Sequence, residues 1–509
     1  MSKVNDAAIG MEQVLSAAAG MELTDVPQPA QAGSAAARRA PLGVKFKMLY
    51  GSGALIEGIT TAALTYFLLF YLTAVCGLSG VLAGTAMFLG LMIDAVIDPL
   101  IGLVSDNTRS RMGRRLPYIV FGTVPLAIVF ALLFSIPTGV SGTALMFYAT
   151  LCSMAVRVGQ SIFNLPYVAV GAEVTDDYDE RSSIVTYRVC FSMLGTFLAI
   201  GLGLGVFMSG PGGLLDRSSY VPFAWTCAML ICLSGFAGAV ATRSVLPRLH
   251  LATPTQGSAI AQLIAELCDI SRNRSFVVLF FATLAFFVAQ GMAGALAIYL
   301  NKYFWKLPTS GVQLVLIGAT LGPFIGVPVY ALLSRRIEKK QLTIINFMFF
   351  VVGQMWPPLA RLAGWLPDNE SIVTGILFCN ALLTGAVLVG GAIGAQSMMA
   401  DAVDEHEHLF GVRREGLFFS GLTFGVKAAS GLGGFLAGAS LDMIHFPVDM
   451  VSKGGNVPMS QEVIRYLGIV GGPVPALITL LAPLTLLGYT LSRKRHSAIL
   501  LELEERRCA

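Results

Sequence analysis

The chain has 509 residues, 55% of them hydrophobic and only 13% charged, with a net charge of +4 and a mean hydropathy of +0.72. Soluble domains carry about a quarter charged residues, so this composition excludes an ordinary soluble enzyme. The basic residues sit between apolar runs and gather on no single face, which argues against a nucleic-acid partner.

In chain order, the first 40 or so residues are rich in Ala, Gly, Met and Gln and lack the apolar core and cleavage site of a signal peptide. We expect residues 1–42 to be a disordered cytoplasmic tail. A bilayer core about 30 Å thick needs roughly 20 apolar residues per helix, and runs of that length then follow. They are Met48 to Leu78, Val81 to Val104, Leu116 to Ile136, Ala144 to Ala172, Ile184 to Met208 and Val221 to Ala241. After a polar stretch come Phe276 to Leu300, Val312 to Leu333, Thr343 to Leu362, Ile372 to Met399, Leu417 to Leu441 and Leu467 to Leu491. This predicts an all-α membrane protein of twelve transmembrane helices in two six-helix halves, 43–242 and 275–492. Between them lies a central cytoplasmic loop, 243–274, with an amphipathic surface helix around Ile260 to Leu267; residues 493–509 form a second cytoplasmic tail.

Lys and Arg crowd one set of loops, including Arg109, Arg111, Arg114, Arg115, Arg335, Arg336, Lys339, Lys340, Arg413 and Arg414. The positive-inside rule therefore predicts both termini in the cytoplasm and a location in the plasma (inner) membrane. The loop Ser105 to Arg115 after the second helix is echoed by Ser334 to Lys340 after the eighth. A duplicated six-helix unit of this kind is usual in secondary transporters. The eight cysteines are scattered with no CxxC spacing, which indicates neither a disulfide framework nor a zinc site.

An ionisable group deep in a bilayer is costly unless paired or wet, so each one is a candidate site. The set is Glu57, Asp94, Asp98, Arg157, Glu173, Arg188 and Lys427. Asp94 and Asp98, four apart, share one face of the second helix and form a cation trap, either for a metal cation between two carboxylates or for a proton on one of them. The alternative is that they merely pair with basic residues. Lys427, deep in the eleventh helix, is their countercharge, as a coupling group or as a static bridge between the halves. Arg157 and Arg188 either pair with Glu57 or Glu173 or line the solute path. Pro166 breaks the fourth helix within Asn164-Leu165-Pro166-Tyr167, so that Asn164 and Tyr167 join Gln160 and Ser161 as polar candidates on that helix, unless the step is only a proline kink. The cluster Asp401, Asp404, Glu405, His406, Glu407 and His408, with Arg413 and Arg414, reads as a solvated network rather than a metal site, and Asp176, Asp177, Asp179 and Glu180 beside Arg181 read the same way.

Tyr50-Gly51-Ser52-Gly53, Asp94 to Gly102, the Asp106 to Arg115 loop, Asn164 to Tyr167, Ala400 to Asp404 and Lys427 together resemble the glycoside-pentoside-hexuronide:cation symporter family of the major facilitator superfamily. The similarity runs from about residue 43 to 492. It implies a major facilitator fold, alternating access, and symport of a solute with a proton or sodium ion and no other cofactor. By position it implies Asp94, Asp98 and Ser161 for the cation, Lys427 beside them, and Arg188 for the solute; the residues themselves add Glu57, Arg157, Gln160, Asn164 and Tyr167 as solute candidates. Two departures stand out. In the melibiose carrier, the type member, Asn takes the place of Ile97, which here supplies no oxygen and so favours a proton over sodium. Its sugar-gripping carboxylates correspond to Gly58 and Asn164, while Arg157 is an added cation, so an anionic or less hydroxylated solute is expected. The expected partners are a small-molecule solute, a glycoside or anionic organic solute, and the lipid bilayer, with no nucleic acid and no obligate protein partner. Competing expectations are a proton-driven exporter and a lysolipid carrier; no nucleophile and base pair marks a membrane enzyme.

Overall fold

A computed structural model describes residues 42–175, 177–210, 212–246, 270–448, 450–451 and 459–508. The expectations for the N-terminal tail up to residue 41, for Asp176 and for the surface helix at Ile260 to Leu267 lie outside these residues. The first six helices are α1 (Val44–Val75), α2 (Gly80–Asn107), α3 (Leu116–Leu133), α4 (Gly142–Glu173), α5 (Asp179–Phe207) and α6 (Arg217–Ser244). The second six are α7 (Arg274–Phe304), α8 (Thr309–Leu333), α9 (Lys339–Leu362), α10 (Glu370–Phe410), α11 (Glu415–Met443) and α12 (Gln461–Leu486). Eleven of them are long and apolar enough to cross a membrane. The remaining one, α11, runs for 29 residues and is the helix that carries Lys427. Among the described residues there is no strand, as expected where lipid leaves backbone groups no partner but the helix itself.

Local chemistry explains where the helices begin. Ser79, Asp177, Asp216, Asn273, Asn369 and Ser460 each accept a backbone N–H from the first turn that follows them, which satisfies donors that the helix leaves open. The apolar runs underestimate several ends: α4 begins at Gly142 and α10 extends to Phe410, because polar residues beyond the hydrocarbon continue the helix into the aqueous layer. The predicted C-terminal tail is instead a helix, α13 (Arg493–Cys508). It folds back on its own half through Ile499 and Leu503, which join a buried cluster with Phe276, Phe347, Met398 and Phe418.

The halves meet at one end of the bundle. Helix α2 touches α11 backbone to backbone: a Cβ on Gly80 would lie 2.2 Å from the Gly438 carbonyl oxygen, and one on Gly438 2.0 Å from that of Gly80. The Asp442 carboxylate of α11 accepts the N–H groups of Gly80 (2.7 Å) and Val81 (2.8 Å), a favourable place for an anion at a helix N-terminus. Beside it, Met450 N–H donates to the Ala74 carbonyl at 2.9 Å and the hydroxyls of Thr73 and Tyr299 are hydrogen-bonded.

The two helices that carry these contacts end alike. The last turns of α1 (Tyr71–Val75) and α7 (Leu300–Phe304) are π-helical. Cys76 N bonds Tyr71 O and Leu78 N bonds Leu72 O, at 2.9 and 2.8 Å; Trp305 N bonds Leu300 O and Leu307 N bonds Asn301 O, both at 3.0 Å. The turn then needs a positive φ, taken by Gly77 (81°) in one half and by Lys306 (57°) in the other.

Candidate ion and solute site

Helices α2, α4 and α11 converge where Asp94, Ser161 and Lys427 meet. The Ser161 hydroxyl donates to Asp94 Oδ1 at 2.5 Å, and the Lys427 ammonium lies 2.8 Å from Asp94 Oδ2. The same Lys427 Nζ donates to Asp98 Oδ2, so one ammonium from the second half bridges two carboxylates of the first. Asp94 is buried, at 5% exposure, while Asp98 and Lys427 are half-buried. Four-residue spacing puts both carboxylates on one face of α2, and Pro99 frees a backbone carbonyl one turn back. Ile97, on the same turn, offers no further ligand atom.

Helix α4 presents Arg157, Gln160, Ser161 and Asn164 on one face. Arg157, Gln160 and Asn164 are all half-buried, and Asp94 is the acidic group close enough to act on Arg157. No described residue forms an ion pair with Arg157, Arg188 or Glu57. Gln160 Oε1 and Arg188 Nε are buried with no hydrogen-bond partner, as expected of groups set for a ligand. The Arg188 guanidinium lies over the Tyr167 ring, 5.3 Å from its centroid.

Tyr167 is placed differently from the expectation of a solute-facing hydroxyl. It is fully buried, its hydroxyl donates to the Tyr50 carbonyl, and the Tyr50 hydroxyl donates in return to the Tyr167 carbonyl. The rings stack at 4.6 Å, so Tyr167 ties α4 to α1 and supports Arg188 with its face. Glu173 pairs with neither arginine offered to it. It sits at the end of α4 and binds Arg114 at 2.5 Å and also Arg115, because the α2–α3 loop folds beneath it.

The acidic end of α10 is more than a solvated network. Arg413 does bridge Asp404 (2.7 Å), Glu407 (3.1 Å) and Glu415 (3.1 Å), which pushes its guanidinium further toward the charged form. Glu405 and His406, however, are buried, Asp401 binds Lys339 at 2.7 Å, and α13 docks here through His496 to Asp404 (3.0 Å) and Arg507 to Glu407 (2.7 Å). Among the described residues no cluster of His, Cys, Asp and Glu could hold a metal ion. At the start of α5, Arg181 binds the carbonyls of Ala172 and Thr175 while Asp177 caps the helix. Sequence reasoning passed over Asp442; its signal was an acid at the end of a Gly-rich helix, opposite a helix that begins with glycine.

The family model described as MFS/sugar transport protein matches residues 49–493. The chain belongs to this family. It is therefore a multi-pass transporter of the major facilitator fold. A similar protein is the glucuronide carrier protein homolog of Escherichia coli, 26% identical over 90% of this chain and 95% of its own length. Another is the inner membrane symporter YicJ of Escherichia coli, 26% identical over 87% and 90%. Among solved structures the nucleoside transporter NupG superposes with a TM-score of 0.58 at 15% identity, covering 88% of this chain and 99% of that one; at that identity the likeness concerns the fold.

Proposed function

We propose that this member of the family is an inner-membrane symporter that carries an anionic glycoside, of the hexuronide class, together with a proton or sodium ion. The observation that carries the reading is the Lys427 bridge to Asp94 and Asp98. An ammonium from one half that occupies the carboxylates of the other must be displaced before a cation can bind there, so cation binding and the attachment of the two halves are linked. Asp94, Asp98 and Ser161 hold the cation; Lys427 is the coupling group. With Ile97 in the turn, the oxygen supply suits a proton, which needs a single carboxylate, better than sodium, which needs several ligands.

Glu57, Arg157, Gln160, Asn164 and Arg188 face the solute, with Tyr167 behind Arg188. Two unpaired guanidiniums against one carboxylate favour a solute carboxylate, which Arg binds in a bidentate fork, and Glu57, Gln160 and Asn164 suit sugar hydroxyls. The similar glucuronide carrier homolog and inner-membrane symporter support this class of solute, this coupling and this membrane. The basic loops at the 108–115, 334–340 and 411–415 end favour the cytoplasm there, with both termini inside. In this arrangement the halves are joined at the periplasmic end.

The test is uptake of a phenyl glucuronide and of the matching neutral glucoside into proteoliposomes under separately imposed proton and sodium gradients. Glucuronide accumulation driven by one gradient and abolished by Asp98→Asn supports the proposal. Accumulation that survives Asp98→Asn, or uptake of the glucoside alone, overturns it.

A further inference from the structure

The Ser334 to Lys340 loop has no part in the solute site, yet it borders a partly open cavity of about 130 Å³ between the end of α8, the start of α9, the side of α10, the end of α12 and the start of α13. Lys339, Lys340 and Arg493 give this cavity a cationic wall, and Ser334, Ser492 and His496 add polar groups. Two acids also line it. Asp401 is committed to Lys339, which reaches both of its oxygens at 2.8 and 2.7 Å, and to His496 at 3.8 Å. Glu338, the N-cap of α9, extends into solvent.

The charge left over is positive. Lys340 gives two of its three donors to the Leu487 and Tyr489 carbonyls, at 3.0 and 2.7 Å, which leaves one. The Arg493 guanidinium has no acidic partner among the described residues, and the same holds for Arg335, Arg336 and Lys494, which are exposed beside the cavity. The N-terminus of α9 adds its partial positive charge to the same place. Next to this cationic rim in the chain, the last turn of α8 and the end of α12 carry exposed leucines: Leu332 and Leu333 on one, Leu484 and Leu487 on the other. In a chain that spans a bilayer, these leucines lie at acyl-chain depth and the rim lies at the depth of the headgroups.

We propose that this cavity is a binding site for an anionic phospholipid. The phosphate is held by Arg493, the free donor of Lys340 and the hydroxyl of Ser492, Arg335 and Arg336 supply the surrounding field, and the acyl chains run along the leucines of α8 and α12. A basic pocket between helices at the membrane surface is the expected seat of such a headgroup. A bound lipid joins the α8–α9 loop to the first turn of α13, and so fastens the C-terminal helix to its half. This site is independent of solute and coupling ion, and it stands or falls apart from the symport reading.

The experiment is native mass spectrometry of the purified full-length protein with phosphatidylglycerol, phosphatidylcholine or inorganic phosphate added, with no solute and no gradient. Wild type should retain phosphatidylglycerol and lose phosphatidylcholine. Arg493→Gln and Arg336→Gln should each weaken retention about fivefold, since one basic residue near the surface contributes about 1 kcal/mol, and Arg493→Lys should restore most of it. Arg465→Gln, which removes the same charge at the opposite end of the bundle, should leave retention unchanged. A melting curve for each variant separates loss of lipid from loss of fold. Equal retention of both lipids, wild-type retention by the Arg493→Gln/Arg336→Gln double variant, or displacement by inorganic phosphate as efficient as by phosphatidylglycerol would each overturn the proposal, the last by reassigning the site to a free anion.

Discussion

Lys427 has two chemical tasks at once, and its removal separates them. Lys427→Gln leaves Asp94 and Asp98 beside one another in a low-dielectric interior without their countercharge, and loss of one partner from a buried ion pair costs about 3 to 5 kcal/mol. The expected result is a lower melting temperature, read by thermal unfolding in detergent, that Lys427→Arg largely restores. A melting temperature unchanged in Lys427→Gln would show that Lys427 does not neutralise the pair. Arg157→Gln is expected to weaken the affinity for a glucuronide about tenfold or more, with little change for a neutral glycoside, since an Arg–carboxylate contact contributes about 1.5 to 3 kcal/mol; competition binding with the two ligands reads the difference directly. Much of this site was legible beforehand, because a charge inside an apolar run stands out against its neighbours. Tyr167 was misplaced for the opposite reason: an aromatic hydroxyl has no cost signature in sequence, and nothing in Asn164-Leu165-Pro166-Tyr167 announces that Tyr50 will take both its polar groups.

At the level of the helices, the matching ends of α1 and α7 are the clearest trace of duplication. Both halves close with a π-helical turn and a residue at positive φ, yet one half uses glycine there and the other lysine. A left-handed conformation costs an ordinary residue about 1 to 2 kcal/mol and glycine almost nothing. Lys306→Gly is therefore expected to raise the melting temperature slightly and Gly77→Ala to lower it; the same sign for both would mean that the φ values do not control these turns. The close approach of Gly80 and Gly438 makes a second prediction. A methyl group at Gly438 cannot fit while α2 and α11 are in contact, so Gly438→Ala should open this end, measured as faster alkylation of a single cysteine introduced at Thr73. Hydropathy marked all twelve spans but none of this, since it registers how apolar a run is and not which carbonyl an amide reaches. It passed over α13 for the same reason, as that helix is polar overall and gains its place by two buried side chains and by its polar contacts with α10.

Across the whole molecule, the six charges of the candidate site have a common property. Glu57, Asp94 and Asp98 are acids; Arg157, Arg188 and Lys427 are bases. When all six are ionised they cancel, and the site has no net charge. Each uncompensated charge that crosses a membrane gains or loses about 2.3 kcal/mol per 100 mV, and an empty carrier balanced in this way turns over without that bias. A solute with one negative charge, carried with one monovalent cation, keeps the balance through the loaded half of the cycle too. Transport of a glucuronide should then be electrically silent: a potassium diffusion potential of either sign leaves its rate unchanged, and no current appears on a supported membrane. A neutral glycoside forced through the same carrier would generate current and respond to voltage, so a single electrical recording distinguishes the two kinds of cargo.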